Sequence, residues 1–186
     1  MKKMLIKLYS WLQKFFGFKR IGCGSVIKGP WKIWRRDCLE IGNNTFVAEN
    51  SFFAITKLNK EPLIKIGDNC CLGANFFAAC VDEIIIESNV LVSDRVFISD
   101  HMHGYQNVEL PIIRQTLEPR GQILIKDGAF IGVNAVIMPG VTIGKNSVVG
   151  ASSVVVDSVP DFSVVAGNPA RIIKQYDFNK KEWLGL

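Results

Sequence analysis

Branched apolar residues recur at every sixth position from Ile125 towards Pro160: Ile125, Ile131, Ile137, Ile143, Val149 and Val155. Four residues after each stands a small or branched residue, in turn Ala129, Ala135, Val141, Ser147, Ser153 and Val159. A helix cannot carry this pattern, because Gly128, Gly132, Pro139, Gly140, Gly144 and Gly150 interrupt it and the apolar period is six rather than about 3.6. Antiparallel strands would require two-residue alternation and hairpin turns of varied length, and sandwich strands do not generate six unbroken hexads. A flat segment of about five residues followed by a tight corner, repeated, fits the run and reads as a hexapeptide β-helix.

Three such segments close a triangular coil. The reading predicts that Ile143 stacks on Ile125, Val149 on Ile131 and Val155 on Ile137, in parallel register with coils about 4.8 Å apart. Branched residues point into the prism, and the small residues let the corners close. The glycines after branched residues, Gly132, Gly144 and Gly150, are expected to ease backbone torsions that larger side chains resist.

The same hexads begin coils at Ile21, Ile41, Ile66 and Ile86, before those at Ile125 and Ile143. Successive starts lie 20, 25, 20, 39 and 18 residues apart, so against an uninterrupted coil of 18 the surplus is two, seven, two, twenty-one and none. Within each coil the three hexads are unbroken. Every surplus therefore falls after the third segment, and the insertions are predicted to stack along one edge. The largest, 99–122, holds both histidines of the chain, and a loop this long in so regular a solenoid is a functional candidate.

Residues 1–20 differ from the repeats. Met4, Leu5, Leu8, Trp11, Leu12, Phe15 and Phe16 recur at helical spacing among Lys2, Lys3, Lys7 and Lys14, which predicts a basic amphipathic helix. It is too short to span a bilayer and lacks a signal peptide's unbroken apolar run. Two roles fit: peripheral contact with an anionic membrane through residues 1–18, or a cap over the open coil end. The domain reading is thus a helix over 1–20, a β-helix over 21–174 and a tail over 175–186, with Gly167 and Pro169 marking a turn. The net charge of +5 and pI near 9.0 point to an anionic partner. Cofactor phosphates or a membrane surface suit a repeat architecture better than nucleic acid, so no nucleic-acid partner is expected. Five cysteines without CxxC spacing, with Cys70 at a small-residue hexad position, read as structural thiols in a reducing cytoplasmic setting, the membrane's inner face included.

His101 and His103 stand in ISDHMHGY at the root of the long insertion. At i and i+2 on a strand they point the same way. A neutral imidazole there is suited to take a proton from a hydroxyl and return it to a leaving group, while Asp100 or a backbone carbonyl holds the other ring nitrogen. Zinc sites of the three-histidine type are not matched, since the chain has two histidines, and no metal is expected. There is no GxSxG, GxGxxG or P-loop motif.

The run IGVNAVIMPGVTIGKNSVVGASSVV, preceded by DHMHGY and followed by AGNPAR, resembles the bacterial hexapeptide-repeat acyltransferases. The likeness is strongest to O-acetyltransferases of sugars, capsule and lipopolysaccharide, the galactoside and maltose acetyltransferases included. The resemblance implies an all-β, left-handed parallel β-helix, a homotrimer, and acetyl-CoA lying between adjacent prisms. It further implies His101 as the catalytic histidine and Asn75 in GANFF with Asp82 or Glu83 in CVDE as acceptor-binding residues. His103 is left with three roles that fit its place, orienting the acceptor, orienting His101 or packing in the loop, and its replacement is expected to cost less than that of His101. On the donor side the resemblance implies contacts at Phe130, Gly132, Val133, Gly150 and Ala151, with Arg171 and Lys174 meeting CoA phosphates. Phe77, Phe130 and Val133 depart from residues common in the family, which has a polar residue, tryptophan and serine at these positions.

The expected activity is therefore acetyl transfer from acetyl-CoA to a hydroxyl of a sugar or surface glycan, free or lipid-linked. N-acetylation of a sugar, acetylation of a xenobiotic and a non-catalytic scaffold are the alternatives.

Overall fold

The computed structural model describes residues 17–185; the amphipathic helix expected over 1–20 falls almost wholly outside them. The described chain winds into a three-faced parallel β-helix. The first face stacks Arg20–Ile21, Leu39–Ile41, Leu63–Ile66, Glu83–Ile86, Ile123–Ile125 and Thr142–Ile143. On the second face Val26–Ile27, Phe46–Val47, Cys71–Leu72, Leu91–Val92, Phe130–Ile131, Val148–Val149 and Ser163–Gly167 follow one another. The third is built from Lys32–Ile33, Phe52–Ile55, Phe77–Cys80, Phe97–Ser99, Val136–Ile137 and Val154–Val155.

The predicted register holds. Ile125 pairs with Ile143, Ile131 with Val149 and Ile137 with Val155, and the earlier coils join as Ile21–Ile41–Ile66–Ile86–Ile125. These inward residues are buried, as are their small companions Ala129, Ala135, Val141, Ser147, Ser153 and Val159. Ser147 shows why a hydroxyl is tolerated at this depth. Its Oγ donates to the Pro160 carbonyl at 2.6 Å and accepts from the Ser163 N–H at 3.1 Å, so the buried hydroxyl is paired both as donor and as acceptor. At the first coil Phe18 and Trp31 pack against the core.

The glycines have a different cause from the one expected. A Cβ on Gly132 would lie 2.6 Å from the Ala151 nitrogen, and one on Gly144 would lie 2.3 Å from the Asp161 nitrogen. These positions are glycine because the next coil passes too close, while the left-handed turn of the corner falls two residues later. Between the second and third faces it is taken by Asn50, Asn75, Arg95, Asn134 and Ser152, all at positive φ. Asparagine is among the residues that enter that region at least cost.

All insertions emerge at the edge between the third and first faces, hereafter the loop edge. The long one begins as an antiparallel pair, His101–His103 against Leu117–Pro119. After Ser163–Gly167 the chain reverses and Ala170–Asp177 and Glu182–Gly185 add antiparallel to the second face, so one strand runs across the position where the tail was expected to begin.

Candidate active site

His101 leaves the prism at the end of Phe97–Ser99, where the ladder stops and the hairpin starts. Its neighbour Asp100 turns inward and is fully buried. A buried carboxylate needs partners, and this one has them in the coil below. The Val81 N–H reaches Oδ1 at 3.0 Å and Oδ2 at 3.2 Å, and the Asp82 N–H donates to Oδ2 at 2.8 Å. Oδ1 also lies 2.8 Å from Nδ1 of His101. Burial alone would push the Asp100 carboxyl up, but these hydrogen bonds outweigh it and hold the group below the usual carboxylate range.

An ionised carboxylate accepts only, so Nδ1 carries the proton and Nε2 is left as the basic nitrogen. The His101 side chain keeps 13 % of its surface exposed. Ser99, which the sequence did not single out, braces the same turn: its Oγ donates to the His101 carbonyl at 2.8 Å and lies 3.5 Å from Nδ1. His103 is exposed and makes no side-chain hydrogen bond among the described residues.

Most of the remaining candidates lie on two edges, with Phe130 on the second face and Arg171 and Lys174 on the returning strand. Asp82 and Glu83 lie on the loop edge one coil below His101. Asp82 Oδ1 is buried, accepts no hydrogen bond of ordinary geometry, and meets the Lys60 ammonium as an ion pair. Glu83 begins the first-face strand and accepts from Gln122 Nε2 at 2.7 Å. Asn75, Gly132, Val133, Gly150 and Ala151 lie instead on the edge between the second and third faces. Within one protomer the third face separates them from His101.

On that far edge the Gly132 and Gly150 N–H groups are committed, donating to the Val149 and Val165 carbonyls at 2.8 Å. Val133 and Ala151 differ. At the same register position two coils before Val133, the Ala74 N–H donates to Asp94 Oδ1, the side chain in register above it, at 2.8 Å. The residues in register above Val133 and Ala151 are Ala151 and Gly167, which have no acceptor side chain, so these two amides point at no protein acceptor among the described residues. Phe130 is half-buried on the outer second face nearby. Arg171 and Lys174 are exposed on the returning strand, and Arg171 Nη1 lies 3.3 Å from Asp157 Oδ2. No group of three or more His, Cys, Asp and Glu side chains among the described residues could hold a metal ion.

Comparison with known proteins agrees with this architecture. Residues 123–157 match the bacterial transferase hexapeptide family (six repeats) and 63–93 match the hexapeptide repeat of succinyl-transferase. WbbJ of Escherichia coli (strain K12), provisionally named a lipopolysaccharide biosynthesis O-acetyl transferase, is 34 % identical over 128 residues, 65 % of each chain. Galactoside O-acetyltransferase of the same strain is 31 % identical over 152 residues, covering 77 % of this chain and 66 % of that one. The chain thus spans just under two thirds of these curated relatives. Among solved structures, a hexapeptide-repeat-containing acetyltransferase from Vibrio cholerae O1 biovar eltor, complexed with acetyl coenzyme A, is 27 % identical. It superposes with a TM-score of 0.61 over 93 % of this chain and 82 % of its own.

Proposed function

We propose, on the premise that this chain belongs to the bacterial hexapeptide-repeat acyltransferases, that it transfers acetyl from acetyl-CoA to a hydroxyl of a sugar or surface glycan with His101 as general base. The observation that carries the reading is the buried Asp100 carboxylate bonded to Nδ1 of His101. Nε2 then takes the acceptor's hydroxyl proton as the oxygen attacks the thioester carbonyl. A C–O bond forms, the C–S bond breaks, and the imidazolium returns the proton to the leaving thiolate. Asp100 stabilises the imidazolium that forms in between. No covalent enzyme intermediate is needed, and holding both substrates in one cleft supplies much of the acceleration.

The donor side of this reading calls for a second copy of the chain. His101 and the open amides of Val133 and Ala151 lie on different edges, so one protomer's loop edge must meet its neighbour's far edge. A head-to-tail contact of two unlike surfaces makes a ring when its rotation closes and a filament when it does not, and a homotrimer is the closed form we propose. The surface supports it. Outward rows on the second face (Phe46, Leu91, Phe130) and third face (Phe52, Phe77, Phe97) are largely apolar, with Phe52 and Phe77 stacked at 4.8 Å, whereas the first face is mixed, with Arg20, Glu40 and Lys65 followed by Ile85 and Leu124. The long insertion is braced by Gln115, whose Nε2 donates to the Asn107 and Leu110 carbonyls at 2.9 Å, and it exposes Val108 and Ile113.

The test is His101→Ala. Acetyl-CoA binding, read by calorimetry, should persist while transfer to a sugar panel falls by roughly 10²–10⁴-fold. Ordinary turnover in that variant would overturn the assignment.

A further inference from the structure

The segment 57–62, within the seven-residue surplus of the second coil, carries Lys60 to the loop edge, where sequence reading saw only a longer corner. The insertion is pinned. Glu61 accepts from Arg35 Nη2 at 2.9 Å and pairs with Lys57, which ties its base to the coil below and leaves Lys60 to reach upward. Its ammonium lies against Oδ1 of Asp82, an oxygen with no exposed surface and no hydrogen bond of ordinary geometry. The Asp82 side chain is nevertheless 22 % exposed. What meets solvent therefore excludes Oδ1.

Asp82 and His101 hang on one fixed point. The Asp82 N–H donates to Asp100 Oδ2, and His101 Nδ1 lies on Oδ1 of the same buried carboxylate. A group bound at the free side of Asp82 is thereby held in a set relation to the basic nitrogen of His101. Glu83, the neighbouring carboxylate, is engaged instead by Gln122 and begins the outer row of the first face. The structure so separates two acidic residues that sequence left as alternatives.

We infer that Lys60 is a positioning residue of the acceptor site, fixing Asp82 through Oδ1 so that the carboxylate's other oxygen accepts a hydroxyl of the sugar beside His101. This rests on the sugar-acetylation reading above. The pairing also holds the Lys60 ammonium above the ordinary lysine range, chiefly through the bond to Asp82, with Glu83 and Asp100 adding to it. The cation is thus present throughout the neutral range. Desolvation of the carboxylate by a bound sugar would strengthen the contact, which places its effect on acceptor binding rather than on the chemical step.

The experiment uses the full chain, labelled acetyl-CoA and a panel of free hexoses and p-nitrophenyl hexosides, taking the best-acetylated compound as probe. Lys60→Met should raise the probe's KM about tenfold with kcat within twofold, and Lys60→Arg should restore KM to within about twofold. Asp82→Asn should raise KM as well, and the double variant should be no worse than Asp82→Asn alone, because the lysine acts only through that carboxylate. Lys57→Met, which loosens the same insertion without touching Asp82, should leave KM unchanged. A Lys60→Met variant with wild-type KM, or one whose effect adds fully to that of Asp82→Asn, overturns the inference while the acetylation reading stands. A wild-type chain that binds acetyl-CoA and acetylates nothing in the panel overturns both.

Discussion

Replacing Asp100 with asparagine tests whether the buried carboxylate serves the histidine or the fold. The wild-type group has two acceptor oxygens for three donors: the N–H groups of Val81 and Asp82 and the Nδ1–H of His101. Asparagine keeps one oxygen and turns the other into a donor. Backbone amides cannot become acceptors, but a neutral imidazole can shift its proton to Nε2 at little cost. The amide nitrogen should therefore face His101, and the remaining oxygen should keep Asp82 at 2.8 Å and Val81 at 3.2 Å. The stability loss is then one hydrogen bond of ordinary net worth, about 0.5–1.5 kcal/mol. For a chain of this size that is roughly 1–6 °C of melting temperature by circular dichroism. The catalytic loss is larger, because Nε2 now carries the proton and no longer accepts one: turnover of the best sugar acceptor should fall by roughly 10²–10⁴-fold. A variant that melts as expected but turns over within threefold of wild type refutes the role given to Asp100 and, with it, the tautomer assigned to His101. The same pair of proteins carries a pH signature. Asp100 lies below its ordinary value of 3.8 when folded, so between the two values the folded state binds fewer protons than the unfolded chain. Its contribution is full above 3.8 and falls as pH drops through the folded value. An acid titration should accordingly show the stability gap between wild type and variant closing below about pH 4.

Other perturbations separate architecture from chemistry. Gly132→Ala places a methyl 2.6 Å from the next coil's backbone and should cost about 1–3 kcal/mol in a urea titration; an unchanged midpoint would contradict the close approach. Asn75 occupies a left-handed corner with φ of 57°, so Asn75→Ala should lose about 1–2 kcal/mol whereas Asn75→Gly should not. If Asn75→Gly also keeps wild-type acceptor KM, the residue is a corner and not a ligand. Liposomes containing anionic lipid should retain the full chain and release one lacking residues 1–18 if the basic start docks on membranes; equal retention would leave that segment the role of a cap.

Register and coil boundaries were readable because in-register parallel pairing converts a six-residue period directly into contacts: the row Ile21–Ile41–Ile66–Ile86–Ile125–Ile143 is written in the spacing. The position of the insertions followed from the same arithmetic. The reason for the glycines did not, since a near approach between Gly132 and Ala151 depends on coil separation, which torsional reasoning at a single residue omits. Likewise the asparagines of the corners look like polar loop residues until their φ angles are known. Asp100 was named beside His101 because it is adjacent in sequence, but its links to Val81 and Asp82 cross from one coil to the next. Lys60 and Gln122 were invisible for that reason. Each acts on a residue more than twenty positions away, and neither sits in a motif.

Stacking all the spare length at one edge has an evolutionary corollary. A residue inserted within a face would rotate every later side chain out of the prism, whereas one inserted at the loop edge leaves the ladder untouched. Descendants of this chain can thus lengthen or rewrite the segments at 57–62 and 99–122 while the opposite rim, with its Val133 and Ala151 amides, keeps its geometry. Tolerance for novelty and intolerance of change are assigned to different corners of the same triangle.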